Sequence, residues 1–317
     1  MADRLRKGTA AVLLLRDELR HAATPGRNAL TVGVFDGVHR GHRALIAQVG
    51  DEARATGLGR GVVTFHPSPV TVLHPEVAFS YITTLEQRVE LLREAGADWV
   101  AVVQFTSELA LVSAEDFCRM LVEDAGMAVL VVGEDFHLGR GRVGDIPRLR
   151  EIGATLGFQV VTVPLVAGSG EDISSTRIRR ALAAGEMEEV LSLLGRPYSL
   201  RGPVLHGDER GRTIGFPTLN VGVSADQALP PNGVYVTEVE VLGQRWRGLT
   251  NIGTQPTFDG TRRRVETYVL DFSAEVYDHV VRIELLHRLR AEQRFDGADA
   301  LVQQIHADVE AARAYFQ

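Results

Sequence analysis

The chain is poor in the features that mark disulfide-built, membrane-spanning or strongly cationic proteins. Cysteine occurs once in 317 residues, at Cys118, so no intramolecular disulfide can form and a structural zinc cluster lacks its thiolates. No apolar run approaches the roughly 18 residues that a membrane-spanning helix needs. The stretch from Ala10 to Leu15 is interrupted by Arg16 and Asp17 before it could serve as the apolar core of a signal peptide. Both absences lead us to expect a cytoplasmic protein. Cationic charge is also in deficit. There are 34 Lys and Arg against 41 Asp and Glu, a formal net charge of −7, which disfavours general nucleic-acid binding and leaves only local arginine clusters for small anions. Such clusters occur at Arg140 with Arg142, at Arg177 with Arg179 and Arg180, and from Arg262 to Arg264. Taken singly, each reads as solvated surface.

What is present is an ordinary globular composition, 45% hydrophobic and 24% charged, in a chain long enough for two domains of roughly 100–200 residues. Apolar, β-branched runs at 30–35, 61–65, 99–105, 128–133 and 158–164 alternate with helical patterns at 43–55, 85–95, 114–124 and 146–156. This alternation predicts an α/β domain with a doubly wound, Rossmann-like parallel sheet, whose ligands bind beyond the carboxyl ends of the strands. A last helix over 175–194 is expected to end at Gly195-Arg-Pro197, where glycine and proline stop it. Short alternating segments follow at 234–241, 266–272 and 280–286 and predict a small antiparallel β-barrel. In the second of them Glu266, Tyr268, Leu270 and Phe272 share one face. Leu301, Ile305, Val309, Ala312 and Phe316 recur at helical spacing, so a C-terminal helix should lay one apolar stripe on that barrel. The expected domains are 1–186 and 187–317. Residues 1–27 read only as an extra strand or helix docked on the first domain.

Three segments of the first domain carry chemistry. TVGVFDGVHRGHRAL (31–45) puts His39 and His42 just past a strand, where a loop containing Gly33, Phe35, Asp36 and Gly37 meets a helix N-terminus. Exposed amides and the helix dipole attract anions there. The same histidine pair is compatible with half a zinc site or with two core histidines, but no further ligands stand nearby. DISSTRIR (172–179) offers a second anion site. Its Ser174, Ser175 and Thr176 can cap a helix, present hydroxyls to a phosphate, or both, with Arg177 or Arg179 as counter-charge. VGEDFHLGRGR (132–142) follows another strand and should open onto the same sheet edge.

GVFDGVHRGH (33–42), VGEDFHLGRGRVGD (132–145) and ISSTRIR (173–179), in this order, resemble the adenylyltransferase domain of the prokaryotic bifunctional riboflavin kinase and FAD synthetase family. GPVLHGDERGRTIGFPTLN (202–220), LPPNGVYV (229–236), TNIGTQPTF (250–258), VETYVLDF (265–272) and LRAEQRF (289–295) resemble its riboflavin kinase module. The resemblance implies a transferase with two sites and two ATP-dependent steps. Riboflavin is phosphorylated to FMN with Mg²⁺ as cofactor, and FMN is then adenylylated to FAD with release of pyrophosphate. It further implies that His39 and His42 are catalytic in adenylyl transfer, and that Gly33, Phe35, Asp36 and Gly37 shape the loop around ATP. Ser175, Thr176 and Arg179 would hold the β- and γ-phosphates, and Asp135 and Phe136 the flavin. In the kinase module Glu266 is the implied base. Gly215, Thr218 and Asn220 face the ATP phosphates, with Thr218 and Asn220 also as Mg²⁺ ligands, both being hard oxygen donors. Asn251, Arg290, Glu292 and Phe295 fall at the flavin end. The expected partners are ATP, riboflavin and FMN, with no nucleic acid and no membrane, and the protein is expected to be a monomer or weak oligomer.

Four positions depart from the family pattern. His66 and Ser68, in TFHPSP (64–69), stand where an acid followed later by a histidine is expected. Gln255 replaces an arginine, and Leu138 replaces an aromatic residue after Phe136. The first departure sets up an alternative, a riboflavin kinase alone with a weakened adenylyltransferase site. An adenylyltransferase acting on pantetheine phosphate or a pyridine nucleotide would share the first motif but leave the second domain unexplained. Intact His39, His42, Thr218, Asn220 and Glu266 oppose a merely flavin- or nucleotide-binding regulator.

Overall fold

The first apolar run becomes the middle strand of a parallel sheet. In the computed structural model, which describes residues 2–168, 170–207, 211, 214–257 and 260–317, with side chains outside 2–11, 255–257 and 260–262, the chain forms two compact units, Met1–Ser174 and Ser175–Gln317. The first contains α1 (Ala2–Ala22), β1 (Asn28–Gly33), α2 (Arg40–Thr56), β2 (Gly59–His66), α3 (Pro69–Leu73), α4 (Leu85–Glu94), β3 (Trp99–Gln104), α5 (Ala114–Ala125), β4 (Met127–Gly133), α6 (Ile146–Leu156) and β5 (Gln159–Val163). A two-residue hairpin pair, β6 (Ala167–Gly168) and β7 (Glu171–Asp172), follows. The five long strands are parallel in the order β3-β2-β1-β4-β5. Leu30, Val62, Val63, Leu130 and Val131 are fully buried, as expected of strands covered by helices on both faces. Because the chain steps outward from β1 to β3 and then returns to β4, the order reverses between β1 and β4. The carboxyl ends of those two strands therefore form the crevice where doubly wound sheets bind ligands.

Of the two readings open for the N-terminus, the structure shows the helix. Leu15 and Leu19 of α1 enter the same core as Trp99, Phe117 and Cys118. Arg16 and Arg20 both reach the buried Asp124 carboxylate at 2.7 Å, and Glu18 accepts from the Gln104 amide, so polar contacts fix the helix in register with its apolar face.

The second unit opens with α7 (Ser175–Ala184) and α8 (Met187–Leu194). The single helix expected over 175–194 is thus two. Gly185 adopts φ +78°, a left-handed conformation that glycine takes without steric cost, and its amide and that of Glu186 bond back to Leu182 and Ala181. The units divide at 174/175, because α7 folds back and packs on α8. Gly195, also left-handed, ends α8 where expected.

Six strands then close an antiparallel barrel: β8 (Tyr198–Leu205), β9 (Leu219–Val221), β10 (Gly233–Val241), β11 (Gln244–Thr257), β12 (Gly260–Val269) and β13 (Val280–Ala291), ordered β10-β11-β12-β9-β8-β13. Alternation along the strands sends Tyr235, Thr237, Thr250, Ile252, Val265 and Thr267 to the buried interior, and Thr250 Oγ1 bonds to the hydroxyls of Thr237 (3.2 Å) and Thr267 (2.9 Å). The opposite face of β10 and β11 is covered by α9 (Ala298–Tyr315), whose Val309 and Ala312 pack with Val234, Val236 and Leu249. β12 ends at Val269, three residues short of the expected strand. Asp271 has φ +59°, so the chain turns there. Glu266 and Tyr268 keep their common face, while Phe272 leaves it to meet the Trp246 ring edge-on at 5.2 Å.

Candidate active sites

Beyond β1 the backbone is held in sparsely populated conformations. Phe35 and Val38 have φ of +51° and +40°, and Gly37 has +85°. Positive φ is costly for side chains other than glycine and persists where the surroundings fix it. Here Phe35 and Val38 are buried, and the buried Asp36 carboxylate accepts from the amides of Ile82 (3.0 Å) and Thr83 (3.2 Å). Gly37 N–H donates to Thr83 Oγ1. Asp36 thus anchors the loop. It delivers His39 to the N-cap of α2, where Nδ1 accepts from the His42 amide at 3.3 Å. An accepting Nδ1 implies that the proton of the neutral ring sits on Nε2, leaving that N–H as a donor. The two imidazoles stack with centroids 3.5 Å apart, and Phe35 abuts His42 edge-on at 5.1 Å. A Cβ at Gly41 would lie 3.2 Å from the His39 ring, so glycine between the histidines leaves room for the stack.

The segment after β4 opens at the same crevice. Asp135 is exposed and Phe136 is half-buried against the main core. His137 Nδ1 donates to the Asp135 carbonyl at 2.8 Å. Leu138, one of the departures, is itself buried in that core and bridges to Gly144, so an aliphatic side chain there serves packing. At the end of β2, Ser68 is buried and its amide donates to the Tyr81 hydroxyl at 2.8 Å, while the His66 ring lies 5.4 Å from Tyr81. Ser175, Thr176 and Arg179 occupy the first turns of α7, in the second unit. Arg177 is ion-paired with Glu189 of α8.

In the barrel, register does what sequence spacing cannot reveal. Arg290 pairs with Val234, Val234 with Asn251, Asn251 with Glu266, and Glu266 with Asn220. Paired residues on adjacent antiparallel strands share a face, so one row across β13, β10, β11, β12 and β9 carries four of the residues singled out from the sequence. The row lines a cavity of about 380 Å³ between the barrel and α9, to which Thr218, Glu292 and Phe295 also contribute. Thr218 and Asn220 border a second cavity of about 240 Å³ that extends to Phe272 and Tyr277. They therefore stand where the two spaces meet. Phe216 fixes this segment by packing edge-on against Tyr268 (5.3 Å) and His306 (5.0 Å). Gly215, exposed with φ +85°, forms the turn leading into it.

Sequence reasoning missed three residues here. Arg264 donates to Asn220 Oδ1 at 2.9 Å and lies 3.2 Å from Glu266 Oε1. Asp308 of α9 holds Arg290, and Asn232 donates to Glu292 Oε2 at 3.0 Å. Arg264 was visible only as part of an arginine cluster. Asp308, lying between Ile305 and Val309, is the polar residue in an otherwise apolar stripe. The side chains of Gln255 and Arg262 lie outside the described residues.

Residues 21–177 match the FAD synthetase family, and residues 194–316 match the riboflavin kinase family. The chain belongs to the bifunctional riboflavin kinase/FMN adenylyltransferase family. A member from Escherichia coli K12 with that name is 40% identical over 289 residues, covering 90% of this chain and 92% of the relative. One from Bacillus subtilis is 36% identical and covers 92% and 93%. A crystal structure named as a macrolide-efflux protein from Streptococcus pneumoniae superposes with a TM-score of 0.86 at 34% identity, covering 93% of this chain and 96% of that one. Among the described residues of the present chain, no helix is long and apolar enough to cross a membrane. Most of α1 precedes the first residue matched to the family.

Proposed function

We propose that this family member phosphorylates riboflavin to FMN with one ATP and adenylylates FMN to FAD with a second, releasing pyrophosphate. The observation that carries this reading is the row of Arg290, Asn251, Glu266 and Asn220 on one barrel face in the same chain as the stacked His39 and His42 at the carboxyl edge of a parallel sheet. Adenylyl transfer is assigned to residues 1–186 and phosphoryl transfer to 187–317.

In adenylyl transfer the nucleophile is an FMN phosphate oxygen, already ionised at neutral pH, so orientation and charge stabilisation suffice. The Nε2–H group of His39, fixed by the Nδ1 contact to the α2 amide, and the ring of His42 donate to phosphate oxygens as charge builds on the α–β bridge. Ser175, Thr176 and Arg179 supply hydroxyls and a guanidinium suited to the β- and γ-phosphates. Asp135 and Phe136 are assigned to the flavin.

In phosphoryl transfer the nucleophile is the riboflavin 5′-hydroxyl, which must lose a proton, and Glu266 takes it. Thr218 and Asn220 suit Mg²⁺ as hard oxygen donors, and Asn220 Oδ1 already faces a cation, the Arg264 guanidinium. Mg²⁺ arriving with ATP supplies neutralisation of the phosphate charge. The phosphates are assigned to Gly215 and the shared border of the two cavities, with the flavin assigned to the side of Asn251, Arg290, Glu292 and Phe295. Net charge and the single buried thiol suit a monomeric or weakly associating cytoplasmic enzyme that handles small anions rather than nucleic acid.

The deciding experiment incubates the purified chain with riboflavin and MgATP and resolves the flavins by chromatography. FMN followed by FAD is expected. FMN alone would support a kinase whose adenylyltransferase site is weakened around His66 and Ser68, and unchanged riboflavin would overturn both.

A further inference from the structure

We propose that Arg264 is a resident cation of the phosphoryl-transfer centre, one that occupies the acceptor oxygens of Asn220 and Glu266 until metal and nucleotide displace it; this rests on the kinase reading above. Arg264 lies two residues before Glu266 on β12, so the two side chains share the outer face. Its Nη2 donates to Asn220 Oδ1 at 2.9 Å, and its Nη1 lies 3.2 Å from Glu266 Oε1. One guanidinium thus bridges the carbonyl oxygen assigned to the metal and the carboxylate assigned to the base. Both side chains are only partly exposed, 29% for Arg264 and 28% for Glu266, so solvent screens the contact incompletely.

This arrangement cannot persist through turnover. A guanidinium nitrogen 3.2 Å from Glu266 Oε1 stands where a substrate hydroxyl would have to approach that oxygen. A divalent cation on Asn220 Oδ1 would need to sit about 2.0–2.6 Å from that oxygen, which places it against a positive group already bonded there. Like charges at such separation repel strongly in a partly desolvated site. The guanidinium must therefore swing aside when the metal enters. Space exists on either side, since cavities of about 380 and 240 Å³ both border Asn220. Entry of the metal-bound nucleotide and unmasking of Glu266 thereby become one event, and the base is held unreactive until the phosphoryl donor is in place.

The test is calorimetric titration of MgADP into the full chain and into Arg264→Gln and Arg264→Lys, with urea unfolding midpoints measured alongside. Removal of the competing cation should tighten one of the two nucleotide-binding transitions by about five-fold, the scale of a part-exposed ion pair, and leave the other unmoved. The lysine variant should fall between, because a single ammonium cannot bridge both oxygens as a guanidinium does, and it decides the matter if the glutamine variant fails to fold. Unchanged or weakened MgADP binding in a variant with a wild-type midpoint would overturn the proposal and make Arg264 a fixed scaffold. Absence of FMN from the unsubstituted chain given riboflavin and MgATP would instead overturn the kinase reading, so the two failures are distinct.

Discussion

Arg290 grips Asp308 through two parallel hydrogen bonds, Nε to Oδ1 at 2.9 Å and Nη2 to Oδ2 at 2.7 Å. The pair ties the end of β13 to the middle of α9. Gln304 donates to the same carboxylate at 2.9 Å, and the guanidinium carbon lies 5.9 Å from the Phe295 ring centroid. The Asp308 side chain is 5% exposed, so its charge is compensated almost entirely by these partners. Asp308→Ala would leave the Arg290 charge poorly paired at the cavity wall. The expected cost is about 2–3 kcal/mol in urea unfolding, the scale of a charged hydrogen bond left without its acceptor. With Arg290 loosened, KM for riboflavin should rise more than kcat falls, while conversion of supplied FMN to FAD should stay unchanged. A parallel fall in both conversions would show that α9 serves general stability only.

The two assigned centres share no residue, so substitutions should separate the reactions reciprocally. His42→Ala removes a donor to the phosphates and should stop the sequence at FMN, with FAD formation reduced by about 10² or more, as for other single transition-state donors. Glu266→Ala should leave riboflavin untouched, with phosphorylation down by a similar factor of about 10²–10⁴ for loss of a general base, yet still convert supplied FMN to FAD. Chromatography of flavins from riboflavin and, separately, from FMN checks both. If either substitution abolished both steps in folded protein, two independent sites could not be maintained.

The parallel sheet was legible because β1, β2 and β4 are continuous apolar runs between strong helix boundaries, such as Ser113 before α5 and Asp145 before α6, whose side chains do accept from the amides of Asp116 and Arg148. The break at Gly185 was less legible. Both halves of 175–194 are amphipathic, and only tertiary packing decides that a glycine between them turns the chain. In the barrel, the residue types of the site could be named from motifs, but their assembly depends on pairing register. Nothing local says that Asn251 faces Glu266 or that Arg290 stands two strands away on the same row. Asp308 and Arg264 are harder still, because each acts through a partner distant in sequence, and their own neighbourhoods read as an apolar helix stripe and a basic cluster.

Acid should weaken the first unit in a definable direction. The Asp98 carboxyl is held below its ordinary value chiefly by the hydrogen bond from the Arg60 side chain, which outweighs its partial desolvation. A carboxyl depressed on folding contributes stability that is fully present above its unfolded pKa of about 3.9 and is lost as pH falls through the folded value. Asp98→Asn should therefore narrow the stability difference between pH 7 and pH 3 measured by urea unfolding. Because the pair is partly exposed, the same difference should shrink in high salt. An unchanged pH dependence in the variant would assign the acid lability to other carboxylates.

Cys118 provides a test of core integrity that is independent of either reaction. It is fully buried on α5, among residues that include Leu15 and Leu19 of α1, and desolvation pushes its thiol up to about 12. At pH 8 roughly one molecule in 10⁴ would carry the thiolate, the form that attacks disulfide reagents. The native chain should thus be inert to an aromatic disulfide such as Ellman's reagent over hours, and should release one equivalent at once in denaturant. Deleting residues 1–22 removes Leu15, Leu19 and the partners of Asp124 together, stripping one wall from this core. Reaction in the truncated chain should then become measurable without denaturant, through local opening of α5. If its rate stayed at the native level, α1 would be dispensable to the core it covers.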